Sequence, residues 1–131
     1  MIAKYRKKII VDTSIWIEFL KKNPKIFPSM QVLLEKNNAI ALECIFGELL
    51  QGAKSERERK IIFSYWQYLP KIEDTGIWIN AGIYSGINKL ISKGVGLIDS
   101  VIIKAAINNG LIVWTLDKKL QSVMTDELKY Q

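Results

Sequence analysis

Three of the five aspartates in this 131-residue sequence stand where an apolar run ends or a helix begins. Asp12 follows Ile9-Ile10-Val11, Asp117 follows the run LIVWTL at 111–116, and Asp99 follows the glycine-bearing stretch GVG at 94–96. A fourth acid, Glu48, lies in CIFGELLQG, one position before the apolar Leu49 and one turn after Cys44, so it borders the buried face of a helix. The β-branched run before Asp12 reads as a short strand buried on both faces, where an isolated carboxylate would lose its hydration. Asp12 must therefore sit at the strand's mouth or have a partner. In open parallel sheets, ligands bind outside the carboxyl ends of the strands, where acids far apart in sequence converge. Like charges about 4 Å apart repel by roughly 4 kcal/mol at an effective dielectric near 20, so such a cluster calls for a cation or a proton.

The chemistry open to these acids is narrowed by what is missing. The sequence holds no histidine and one cysteine, Cys44. Imidazole-based triads, Cys-His pairs, histidine-ligated zinc, cysteine zinc clusters and internal disulfides are all excluded. Hard oxygen ligands without imidazole or thiolate favour Mg²⁺ or Mn²⁺. Mg²⁺ keeps several waters and is commonly held by one or two carboxylates plus substrate phosphate, which points to metal-assisted phosphodiester hydrolysis. Taken one at a time, Asp12 and Asp99 also read as helix N-caps and Asp117 as the start of a turn. It is their combination that points to a cation.

The elements that must position these acids follow from apolar periodicity. Strand-like runs occur at 9–11, 39–42 and 111–116, with a weaker one near Lys71 and Ile72. Between them, helical spacing links Ile15, Phe19 and Leu20; Met30, Leu33 and Leu34; Ile45, Leu49 and Ala53; and Ile77, Ala81, Tyr84 and Ile91. Ser55 and Glu58 form a capping-box pattern opening a helix that Pro70 ends, and Gly110 stops the helix that begins near Asp99. The alternation predicts an α/β fold: an open parallel sheet of four to five short strands with helices on both faces, as one domain over residues 1–131. With 49% hydrophobic and 24% charged residues, the chain has enough apolar material for a core. It shows neither a signal peptide nor a membrane-spanning run, so a cytoplasmic protein with no membrane association is expected. The net charge of +6 is compatible with a polyanionic partner.

The stretches IIVDTSIWIEFL, GELLQGA, GLIDSVIIKAA and LIVWTLDKKL, in this order, resemble the four motif blocks of PIN-domain ribonucleases, and among them the VapC toxins of toxin-antitoxin pairs. The resemblance runs from about residue 8 to 122. It implies a PIN-like fold and an acidic pocket formed by Asp12, Glu48, Asp99 and Asp117, with Ser14 and Thr115 matching hydroxyl positions beside it. It also implies a Mg²⁺- or Mn²⁺-dependent endoribonuclease, commonly a homodimer, inhibited by a VapB-type antitoxin that lays a segment into a groove near the site. Two positions depart from the family pattern: Leu120, where an aromatic is common, and Lys54, where many relatives carry arginine.

On this reading Asp12, Asp99 and Asp117 hold the metal directly or through water, and Glu48 orients or deprotonates the attacking water. Ser14 either hydrogen-bonds Asp12 or phosphate, or simply caps a helix. Glu18 is spaced to pair with Lys21 and Lys22, and Glu43 to complement a helix dipole. Lys54, Arg57 and Lys118, with Arg59 and Lys119, follow acidic segments and are candidates for RNA phosphate contacts, while Lys4, Arg6, Lys7 and Lys8 are expected at the opposite end of the sheet. Trp16, Trp66, Trp78 and Trp114 fall in apolar patterns that suit core or dimer packing better than base stacking. Two other functions compete. A PIN-like RNA- or protein-binding module without catalysis would keep the fold and lose the acids. A phosphotransferase using Asp12 as nucleophile would need a second acid where Ser14 stands.

Overall fold

The computed structural model describes residues 7–131; the expected positions of Lys4 and Arg6 lie outside the described residues. Three parallel strands, β1 (Ile9–Val11), β2 (Ala39–Ile40) and β3 (Ile112–Trp114), form one sheet in the order β2-β1-β3. Among the described residues, seven α-helices accompany them: α1 (Thr13–Leu20), α2 (Phe27–Glu35), α3 (Glu43–Gly52), α4 (Glu56–Tyr68), α5 (Ile77–Asn88), α6 (Leu97–Asn109) and α7 (Lys118–Ser122).

β1 is the central strand because it is the most apolar. Ile9, Ile10 and Val11 are all buried, and since alternate side chains leave opposite faces, both faces of the sheet are covered. Ile10 and Val11 are fully buried, each contributing about 1.5–3 kcal/mol relative to exposure. The helices divide into two packed groups: α1 against α2 and α3, with α3 against α4, and α5 along α6, which packs on β3.

The sheet has three strands rather than the four to five expected. The weak segment near Lys71 makes a single parallel bridge to Ala41, with the Ala41 amide donating to the Pro70 carbonyl at 3.0 Å. At the other edge Lys129 makes one bridge to Val113, and the Tyr130 amide donates to the Val113 carbonyl at 2.9 Å. Each outer line of chain thus contacts the sheet at one residue, too briefly to form a strand. α5 is also shorter than its apolar spacing suggested. It stops at Asn88 because Lys89 adopts a left-handed conformation (φ 56°), which leaves Ile91 81% exposed instead of buried.

Several local signals act as expected. Ser55 Oγ accepts the Glu58 amide at 3.1 Å, while Glu58 Oε2 reaches back to the Lys54 amide at 2.9 Å, a capping box displaced by one residue at its return bond. Gly110, at φ 63°, closes α6. α1 buries Ile15, Trp16 and Phe19. Trp16 lies among Phe19, Phe46 and Tyr65 with ring centroids 5.2–5.8 Å away, and its indole N–H has no hydrogen-bond partner among the described residues. Trp66 and Trp114 are half-buried, the latter against the Tyr130 ring at 4.6 Å, whereas Trp78 is exposed and belongs to no core. Among the described residues, no helix is long and apolar enough to cross a membrane.

Candidate active site

The end of β1 places the first acid. Asp12 adopts an extended conformation between strand and helix, and its amide continues the sheet by donating to the Trp114 carbonyl at 3.0 Å. It occupies the N-cap position of α1, yet its side chain caps nothing. Oδ2 instead accepts the Thr115 hydroxyl at 2.7 Å and the Ser14 hydroxyl at 3.1 Å. Both hydroxyls are held in turn: the Leu116 amide donates to Ser14 Oγ and the Asp117 amide to Thr115 Oγ1, each at 3.0 Å. The nearly buried carboxylate, 6% exposed, is thus satisfied at one oxygen by charge-assisted bonds.

Glu48 stands on α3, half-buried, and Oε1 accepts the Thr13 hydroxyl at 2.7 Å. Thr13 was not among the residues singled out from the sequence. Its only signal was adjacency to Asp12, because the link to α3 spans 35 positions. Asp117, read from the sequence as the start of a turn, caps a helix instead: Oδ1 accepts the Lys119 amide at 2.9 Å and the Leu120 amide at 3.2 Å, opening α7. Asp99 is not a cap. Gly96 holds that position, and Asp99 lies in the first turn of α6, half-exposed, with no hydrogen bond to its carboxyl among the described residues.

Asp99 is where the acids meet electrostatically. Burial raises its pKa to about 6, and repulsion from Asp12, Asp117 and Glu48 adds to the rise. Asp99 is thus within electrostatic reach of the other three acids. They do not form a closed chelate: among the described residues, no three acidic or sulfur side chains are gathered tightly enough to hold one ion. These two facts fit together. A hydrated Mg²⁺ or Mn²⁺ requires only one or two direct carboxylates. The donor set suits such an ion. Asp12 Oδ1, Glu48 Oε2 and Asp117 Oδ2 accept no hydrogen bond from the described residues. Cys44, one turn before Glu48, has its thiol pushed up to about 12 by burial and then by Glu48, so it stays protonated and offers no soft ligand.

The remaining candidates sort by their contacts. Glu18 accepts the Asn23 side-chain amide at 2.9 Å and faces Lys21 at 3.8 Å, so it serves the end of α1. Arg59 faces Glu56 at 3.7 Å. Lys54, Arg57 and Lys118 are exposed, at the end of α3, the first turn of α4 and the start of α7. Lys119 extends along Gly94, where an added Cβ would meet its Cδ at 3.0 Å, and this contact joins the loop before α6 to the start of α7. Lys7 and Lys8 are exposed before β1, away from the strand end that carries Asp12, and Lys8 donates to the Asn37 carbonyl at 3.1 Å. Between α1, α2 and α4 lies an apolar groove of about 380 Å³, lined by Phe19, Phe27, Leu34, Ile61 and Tyr65 with Lys22 and Glu35 at its margin.

A parallel α/β sheet flanked by helices, with Asp12 and Asp117 following the carboxyl ends of two neighbouring strands, defines a class, and the sequence profile of the PIN domain matches residues 9–124. The chain belongs to the PIN domain family. Its fold is similar to that of a chain in the crystal structure of VapBC2 from Rickettsia felis bound to a DNA fragment from their promoter, with a TM-score of 0.66 at 19% identity over 92% of this chain and 95% of that one. Comparison with curated proteins finds no match.

Proposed function

We propose that this chain is a cytoplasmic endoribonuclease, dependent on Mg²⁺ or Mn²⁺, and the toxin of a type II toxin-antitoxin pair. The observation that carries the reading is the placement of Asp12 at the carboxyl end of the central strand, with Oδ2 held by the Ser14 and Thr115 hydroxyls and Oδ1 left without a donor among the described residues, in a chain that matches the PIN domain over residues 9–124. When bound, the ion supplies charge neutralisation at a scissile phosphate and lowers the pKa of water. The protein supplies the holding groups. Asp12, Asp99 and Asp117 are the candidate ligands, direct or through water, and Asp12 is oriented by Ser14 and Thr115. Glu48, fixed at one oxygen by Thr13, is the proposed acceptor of a proton from the attacking water through its other oxygen. Lys54, Arg57 and Lys118 offer cations to the RNA backbone.

A VapB-type antitoxin is the proposed protein partner, in line with the VapBC2 complex that shares the fold, and the apolar groove between α1, α2 and α4 is its proposed seat. The proposed homodimer uses α5. From Thr75 to Asn88 the sequence carries no charged residue, and Ile79, Ile83 and Ile87 are 57–74% exposed one turn apart, beside a parallel row of Gly82 and Gly86. This face carries both a ridge and a groove at four-residue spacing, so it is complementary to itself.

The test compares wild type with Asp99→Asn on total RNA in Mg²⁺, Mn²⁺ or EDTA, after any copurified partner has been removed. Cleavage by wild type with metal alone is expected. Equal cleavage by both proteins, or undiminished cleavage in EDTA, rules out the mechanism. Metal-independent RNA binding without cleavage would instead mark a noncatalytic PIN-like module.

A further inference from the structure

We propose that Thr13 is a positioning residue for the reaction, acting through Glu48; the inference rests on the nuclease reading above. Thr13 is the first residue of α1, and Glu48 lies in the middle of α3. A first-turn threonine ordinarily turns its hydroxyl to its own helix or to water. Here the hydroxyl crosses to the other helix and donates to Glu48 Oε1 at 2.7 Å, a short, charge-assisted bond.

The bond does something that packing cannot. A glutamate carboxylate is carried on three rotatable bonds, and Glu48 is only half-buried, with no ion pair among the described residues. No other described side chain or amide donates to its carboxylate. Without Thr13, Glu48 would sample several rotamers. With it, Oε1 is anchored and Oε2 remains without a donor, the oxygen left for a proton or a water. The parallel with Asp12 is close: there too one carboxylate oxygen is held by a neighbouring hydroxyl and the other is left free. Residues 13 and 14 thus serve two acids at once, Ser14 holding the one at the end of β1 and Thr13 the one on α3.

The same geometry explains why Thr is suited to this position. Its β-branch restricts χ1, so the hydroxyl is pre-aimed. Serine keeps the donor with a freer rotor, and valine keeps the branch without the donor.

The experiment measures steady-state cleavage of a defined RNA in Mn²⁺ by wild type, Thr13→Val, Thr13→Ser, Glu48→Asp and the Thr13→Val/Glu48→Asp double variant, with the melting temperature of each. Thr13→Val is expected to lower kcat about tenfold or more with KM and melting temperature close to wild type, and Thr13→Ser to recover most of the loss. In the Glu48→Asp background, where the shorter side chain falls short of the hydroxyl, Thr13→Val is expected to add no further loss, the coupling that defines a residue acting through another. An unchanged kcat in Thr13→Val, or an equal loss in both backgrounds, overturns the positioning role while leaving the nuclease reading intact. A fall in kcat matched by a fall in melting temperature and not recovered by serine also overturns it, in favour of a purely structural bond. Absence of cleavage by wild type overturns the nuclease reading, and this inference with it.

Discussion

Thr115 donates its hydroxyl to Asp12 Oδ2 at 2.7 Å across 103 positions of chain, joining the ends of two neighbouring parallel strands. The bond satisfies a nearly buried charge, and its loss is felt both in the fold and in the acid it orients. Thr115→Val keeps the shape and removes the donor. It is expected to destabilise the protein by about 1–3 kcal/mol, the range for leaving a buried acceptor short of a partner, read as a lower urea midpoint with unchanged slope. A midpoint equal to wild type would show that Ser14 alone suffices.

Asp99 gives a prediction whose sign is unusual for an aspartate. The folded chain holds its proton more tightly than the unfolded one, with a pKa near 6 against an ordinary value of 3.8. Between those values the folded state binds more protons, so stability falls as pH rises through that window. In EDTA, the melting temperature should decline between about pH 4 and 6.5. Asp99→Asn should flatten this decline and stabilise the protein at pH 7.5 while abolishing cleavage. The gain is on the order of 1 kcal/mol once the shift is discounted for a half-exposed group, or roughly 3–6 °C. A variant less stable than wild type at neutral pH contradicts the repulsion.

A cation should act on the same strain. Millimolar Mn²⁺ at pH 7.5 is expected to raise the melting temperature of wild type, as a ligand binding only the folded state does, and EDTA to reverse it. Asp12→Asn should remove most of the effect, since it withdraws the carboxylate that Ser14 and Thr115 orient. Equal stabilisation of both proteins would place the ion elsewhere.

The isoleucine row on α5 predicts a dimer that a charge can break. Ile83→Asp combined with Ile87→Asp should shift the protein to monomer in light scattering while leaving its melting curve cooperative, because both side chains are already exposed in the single chain. Retention of the dimer would remove α5 from the interface.

Much of the scaffold was readable because local chemistry and tertiary packing agree. Ile9–Val11 is apolar on both faces and can only be a central strand; Ser55 and Glu58 carry their own capping instruction; Gly110 takes the left-handed turn that closes α6. The edges of the sheet were not readable, because a bridge of one residue leaves no periodicity. Nor was the end of α5, where Lys89 turns left-handed without glycine. At the site, the residue types pointed to a shared region, and the raised pKa of Asp99 bears on it. What stayed hidden was the support beneath them. That Asp12 leaves its helix uncapped, that Asp117 caps one, and that Thr13 reaches Glu48 are matters of rotamer and of contacts between distant segments. Spacing along the chain does not encode them.

The order in which the chain is made gives the parallel sheet a temporal meaning. The central strand and Asp12 are synthesised first, but Thr115 and Asp117 belong to the last strand and the turn after it. A ribosome extending this chain carries only a partial acid set, with Asp12 lacking the Thr115 hydroxyl, until residues 115–117 have been translated. On the proposed nuclease reading, the acid set is complete only once residue 117 has been made and β3 has paired with β1.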